Sequence, residues 1–130
     1  MPEGPLVAIV DDDESIRETT KDLLESAGLP AAAFTSAESF LRSKRLHRFS
    51  CLIADMRMSG MSGLELYQEL AASNRAIPTI LVTAHPEERA RAQAAKAKVL
   101  CFLTKPFVAE DLLACVRRAI EGRQRRAPAP

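Results

Sequence analysis

Five short apolar runs punctuate this chain at regular intervals: LVAIV at 6–10, PAAAF at 30–34, CLIA at 51–54, TILVT at 79–83 and LCFL at 100–103. Between them the apolar residues change to helical spacing. Ile16, Thr20, Leu23, Leu24 and Ala27 form one helical face closed by Gly28; Leu64, Tyr67 and Leu70 form another, opened by Gly63; Leu112, Leu113, Val116 and Ile120 form a third. Thr35 and Glu38 have the spacing of a capping box ahead of Phe40 and Leu41. Continuous apolar strands, each followed by a helical segment, are repeated β-α units, and right-handed crossovers turn them into a parallel sheet with helices on both faces. The predicted fold is therefore an open α/β sandwich of three layers.

In such a sheet a ligand site lies outside the carboxyl ends of the strands, where the strand order reverses. The ends are informative. The first strand runs into Asp11, Asp12 and Asp13, the third into Asp55, the fourth into Thr83 and Ala84, and the fifth is followed by Lys105 and Pro106. With the common order 2-1-3-4-5, strands one and three are neighbours, so Asp11, Asp12 and Asp55 converge on one pocket. Carboxylates that close repel one another, so one is protonated or a cation joins them. An oxygen-only donor set suits Mg²⁺, a hard ion that keeps several waters and works on phosphates. The other half of a phosphoryl-transfer site needs a point charge and hydrogen-bond donors, roles that Lys105 and Thr83 match.

IVDDDESIR, IADMRM, LVTAH and LTKPF, in this order and separation, resemble the receiver domain of two-component response regulators, the CheY-like superfamily, and within it receivers of the FixJ/NarL type. The resemblance covers residues 6–121, leaving 1–5 as an N-terminal extension and 122–130 as an Arg/Pro-rich tail or the start of an interdomain linker. It implies a doubly wound, flavodoxin-like (βα)5 fold with a five-stranded parallel sheet in the order 2-1-3-4-5. It also implies that Asp55 is the phosphoacceptor, attacking a phosphohistidine on a cognate histidine kinase. Asp11, Asp12, Asp55 and the Arg57 backbone carbonyl are the implied Mg²⁺ site, with Mn²⁺ as the alternative ion, and Asp13 is left as a helix cap. Thr83 and Lys105 become the pair that grips the phosphoryl group, and Phe102 the aromatic that turns inward with them. Ala84 leaves the phosphoryl group accessible, while Arg57 and His85 tune its hydrolysis. The responding face is the fourth helix, fifth strand and fifth helix, a surface for a phosphorylation-dependent homodimer.

Two positions depart from the family pattern. Ser59 stands where receivers usually carry Pro, which restores an N–H beside the site and predicts a more mobile loop with intact chemistry. Lys98 stands where Gly usually ends the fourth helix, which predicts an altered helix end, because a left-handed Lys costs about 1 kcal/mol. Competing readings are a haloacid dehalogenase-like phosphatase, with Asp11 as nucleophile and Asp13 as general acid, and a receiver-like binding module that works without phosphorylation. The first needs more than 130 residues and a late acidic metal motif; the second is at odds with an intact acid, Thr and Lys set.

Composition narrows the rest. At 130 residues and 47% apolar content the chain suits one domain, and its net charge of +1 gives no field for nucleic acid or an anionic membrane. DNA contact is accordingly expected only through an effector domain absent from this chain. Arg117, Arg118, Arg123, Arg125 and Arg126 gather ahead of the terminal APAP and read as a solvated helix end. With no long apolar run and no leader pattern, the expected location is cytoplasmic, the expected role signalling and not metabolic catalysis. Cys51, Cys101 and Cys115 read as reduced core residues, and His47 and His85 as surface residues outside any zinc arrangement.

Overall fold

The computed structural model describes residues 4–84 and 88–126, the helical residues 88–90 and 123–126 by backbone only. Strands β1 (Val7–Val10), β2 (Ala31–Phe34), β3 (Cys51–Asp55), β4 (Thr79–Thr83) and β5 (Cys101–Thr104) alternate with helices α1 (Glu14–Ser26), α2 (Ala37–Leu41), α3 (Gly63–Ala72), α4 (Glu88–Ala97) and α5 (Ala109–Arg126). All strand pairs are parallel and the order is β2-β1-β3-β4-β5. This is the flavodoxin-like doubly wound sandwich, with β1 and β3 adjacent at the point of reversal.

Alternation along the buried strands builds two cores. Val7, Ile9, Ile53, Ile80 and Val82 point to one face and pack under α1 and α5 with Leu24, Leu112, Val116 and Ile120. Ala8, Val10, Leu52, Ala54 and Leu81 point to the other, where Phe40, Leu66, Leu70 and Ala94 cover them from α2, α3 and α4. Phe34, Phe40 and Phe49 meet edge-on or tilted, with centroids 5.1–5.8 Å apart, and fill the space beside the short α2.

Several local expectations shift. The cap of α2 is Ser36 in a reciprocal box with Ser39, one residue later than the Thr35–Glu38 pattern, and this releases Glu38 for another contact. An unforeseen box, Ser62 with Glu65, starts α3. Of the expected α1 face only Thr20 and Leu24 are buried, and the helix ends before Ala27. Cys51 and Cys115 are buried as expected, but Cys101 is half-buried because β5 is a sheet edge. Helix α5 continues to Arg126, past residue 121, so no structural break separates the domain from the start of the tail. His47 is exposed; His85 lies outside the described residues.

Lys98 does not alter the end of α4. It takes the left-handed conformation itself, at φ 64°, and Lys98 and Val99 donate backbone hydrogen bonds to Ala95 and Ala94. The Tyr67 hydroxyl donates to the Lys98 carbonyl at 3.2 Å, which fixes the turn against α3. The chain thus keeps the backbone that Gly would favour and carries the steric cost of a Cβ. Lys98→Gly is expected to stabilise the protein by about 0.5–1 kcal/mol, read as a higher urea midpoint; a lower midpoint would show that the left-handed turn costs nothing here.

Candidate functional site

The site is assembled by the sheet. Val10 pairs with Ala54 and Asp55 with Val82, so the ends of β1, β3 and β4 lie side by side. Asp11 follows β1 and is 2% exposed, while Asp12, next in the chain, is open to solvent. One carboxylate oxygen from each of Asp11, Asp12 and Asp55 lies within 4.8 Å of the others. Lys105, entering from the segment after β5, donates to Asp11 Oδ2 at 3.0 Å and to Asp55 Oδ2 at 2.9 Å.

The supporting bonds explain the placement of each group. The Asp13 N–H donates to Asp11 Oδ1 at 2.9 Å, and Asp13 in turn caps α1 by accepting from Ile16 N–H. Asp13 is therefore a cap, as the receiver resemblance implied. Arg17 donates to the Asp11 carbonyl at 2.8 Å and ties the first turn of α1 to the strand end. Arg57 N–H donates to Asp55 Oδ1 at 3.0 Å. The N–H that Ser59 restores is used: it donates to Asp12 Oδ2 at 3.3 Å. Gly63 completes the arrangement, because a Cβ there would collide with the backbone carbonyl of Asp55. Glycine is what lets α3 begin so close to the strand end.

The electrostatics follow from burial. Burial pushes the Asp11 carboxyl above its ordinary value and the nearby Asp55 charge adds to this; the Asp13 N–H and Lys105 offset only part. Burial alone would lower the Lys105 pKa, but the hydrogen bonds and charges of Asp55 and Asp11 outweigh it and hold its pKa above the usual lysine value. The ammonium is thus the cation that lets two acids share the pocket.

Thr83 is buried at the end of β4, and its carbonyl accepts the Lys105 N–H at 2.7 Å. Ala84 is exposed beside it. Phe102, on β5, is half-buried with the Arg91 guanidinium 5.1 Å from its ring centroid, and Arg91 also reaches Thr104 Oγ1 at 3.5 Å. Neither Arg91 nor Glu38 is a site candidate in the sequence: an arginine on an exposed helix face has no local signature, and Glu38 has the spacing of a capping residue.

The description that matches this chain is the response regulator receiver domain, over residues 7–117. The chain belongs to that family. Similar curated proteins are the response regulator protein TmoT of Ectopseudomonas mendocina, 39% identical over 116 residues, covering 89% of this chain and 53% of that protein, and the transcriptional regulatory protein FixJ of Azorhizobium caulinodans, 38% identical over 129 residues, covering 95% and 61%. The chain thus spans only about half to three-fifths of these relatives. Among solved structures, the N-terminal domain of FixJ superposes with a TM-score of 0.83 at 30% identity, covering 99% of this chain and 100% of that one. The response regulator StyR gives 0.87 at 40% identity, covering 94% and 62%. The protein is a receiver domain of the two-component type, a signalling module, and the phosphatase reading finds no support. Receivers typically hold Mg²⁺ in this acidic pocket and interact with histidine kinases. No helix among the described residues is long and apolar enough to cross a membrane.

Replacing Lys105 tests the electrostatic account. Lys105→Met leaves Asp11 and Asp55 facing each other, and at neutral pH without metal it is expected to cost about 2–3 kcal/mol, somewhat less than breaking a fully buried pair does, because Asp55 and Lys105 are partly open to solvent. Millimolar Mg²⁺ should restore most of that loss, since a divalent ion substitutes for the ammonium. Urea unfolding with and without Mg²⁺ reads both effects; an equal loss in the two conditions would mean that the ion does not take over from the ammonium, and no loss in metal-free protein that Lys105 is not what keeps the acids together.

Proposed function

We propose that Asp55 is the phosphoacceptor of this receiver and that Asp11, Asp12, Asp55 and the Arg57 carbonyl hold the Mg²⁺ it needs, with Mn²⁺ as a substitute. The observation that carries the reading is the Lys105 ammonium bridging Asp11 and Asp55 at the ends of different strands. A pocket with three acids and one half-buried lysine is built to manage negative charge that arrives and leaves. The oxygen donors fit a hard divalent ion, which when bound screens the charge of the incoming phosphoryl oxygens.

The residues then divide the work. An Asp55 carboxylate oxygen attacks phosphorus on a phosphohistidine of the cognate histidine kinase; the new P–O bond forms as the P–N bond breaks, and the imidazole leaves with the electron pair and takes up a proton. Arg57 N–H holds the other Asp55 oxygen and orients the attacking one. Lys105 exchanges a carboxylate oxygen for a phosphoryl oxygen, and the Thr83 hydroxyl, at the next strand end, supplies a further donor. The exposed, small Ala84 leaves the approach open. Arg57, and His85 outside the described residues, tune the return attack of water.

Output follows from where Lys105 and Phe102 stand. Both belong to β5 and its outgoing segment, so a change in what Lys105 grips is felt between α4 and α5. Inward rotation of Phe102 would withdraw it from Arg91 and remodel the α4-β5-α5 face, which we assign to a phosphorylation-dependent homodimer. Residues 6–121 form the receiver, 1–5 an N-terminal extension, and 122–130 an Arg/Pro-rich tail or the start of an interdomain linker. The curated relatives are longer than this chain, and DNA contact is assigned to such an effector domain alone.

Incubation with Mg²⁺ and a small acyl phosphate is expected to add one phosphoryl group to wild type and none to Asp55→Asn, read by intact-protein mass. An unmodified wild type would overturn the phosphoacceptor reading. A modification that survives in Asp55→Asn would move the acceptor elsewhere.

A further inference from the structure

The loop from Met56 to Ser62 carries the Arg57 carbonyl and the Ser59 N–H, and it lacks the proline that usually stiffens this segment. Its middle is nevertheless tied to α2. The Met61 N–H donates to Glu38 Oε2 at 3.1 Å, a bond spanning 23 residues of sequence. The loop between is shaped for that contact. Gly60 takes φ 79°, and a Cβ on it would lie 2.9 Å from Glu38 Oε2 and 3.4 Å from Oε1, so a side chain here would strain the backbone and push the carboxylate off its present position.

Glu38 is free for this because Ser36 and Ser39 cap α2 between themselves. Its carboxyl is held below the usual glutamate value by its own backbone N–H and by that of Met61, with the Arg42 charge contributing. On either side the loop is pinned again, by Ser59 N–H on Asp12 and by Gly63 N–H on the Met56 carbonyl. Met56, Met58 and Met61 pack on the core beneath.

We propose that Glu38 is a positioning residue for the metal site: its carboxylate straps the 56–62 loop to α2 and so fixes the Arg57 carbonyl and the Ser59 N–H relative to Asp12 and Asp55. The strap does from the side what a proline ring would do from within the backbone. It holds the loop through a side chain and leaves the Ser59 N–H available to Asp12. This rests on the reading of Asp11, Asp12 and Asp55 as the Mg²⁺ site, while the strap itself is measurable without any ion.

The test uses the full chain as Glu38→Ala, Glu38→Asp and Glu38→Gln. Amide exchange at Met61 in metal-free protein reads the strap, and isothermal titration with MgCl₂ reads its consequence. In Glu38→Ala and Glu38→Asp, where the acceptor is missing or a methylene short, Met61 exchange is expected to rise about tenfold and Mg²⁺ binding to weaken about tenfold, as loss of an outer-shell partner does. Glu38→Gln keeps an acceptor oxygen and should stay within about twofold of wild type in both. Wild-type exchange at Met61 in a cooperatively folded Glu38→Asp overturns the strap, and raised exchange with unchanged Mg²⁺ binding overturns its link to the metal site. If Glu38→Ala does not fold, Glu38→Asp decides alone. A wild type that binds Mg²⁺ but accepts no phosphoryl group would defeat the phosphoacceptor reading and leave the strap standing.

Discussion

Two carboxylates released at adjacent ends of a parallel sheet repel each other, and one of them, Asp11, is almost fully out of water. Solvent cannot screen that repulsion, so the fold depends on a cation being delivered to the spot. Lys105 delivers it from the far side of β4, which makes the end of β5 answerable to the charge at the ends of β1 and β3. The pocket and the β5 edge are joined by this one ammonium, with the Lys105 N–H to Thr83 carbonyl bond holding its backbone in place. Whatever competes for Asp55 also competes for the position of Lys105.

The surrounding structure serves to make that geometry stiff. Apolar strands buried on both faces fix the register, because a slip of one residue would exchange the two cores. Gly63 admits α3 to the end of β3, Asp13 and Arg17 secure the start of α1, and the loop after Asp55 is held by backbone N–H groups on three separate acceptors. Acids and donors thus come from rigid strand ends and from short, bonded turns, as a site that must hold ångström-scale geometry requires.

Much of this was legible in the residues. The five apolar runs are read correctly as strands because a strand buried on both faces has no polar alternation to blur it, and the polar residues that end each run are then confined to one edge. Asp11, Asp12, Asp55, Thr83 and Lys105 could be named together on that ground, and the structure brings four of their strand ends to one pocket. What escaped was set by contacts distant in sequence. Glu38 sits three residues after Thr35 and looked like its capping partner, yet the competition between two adjacent hydroxyl residues, Thr35 and Ser36, went to the one with a serine at the matching position. Lys98 was expected to change a helix end by its intrinsic preference; the hydrogen bonds to Ala94, Ala95 and Tyr67 outweigh that preference and keep the turn. Tertiary bonds decided both cases.

Arg91 above Phe102 has a consequence for the energetics of response. An exposed cation over an aromatic face contributes about 0.5–1 kcal/mol, a bias of roughly two- to fivefold in population at room temperature. Lys105 is held by two charge-assisted bonds, each stronger than that. A ligand that recruits Lys105 therefore acts on a firmly held lever, while the ring at the other end of β5 rests on a detent barely deeper than thermal energy. Phe102 within β5 and Lys105 just after it are thus held with different stiffness, so in the proposed response the threshold would lie at the acids and the edge would follow at little further expense.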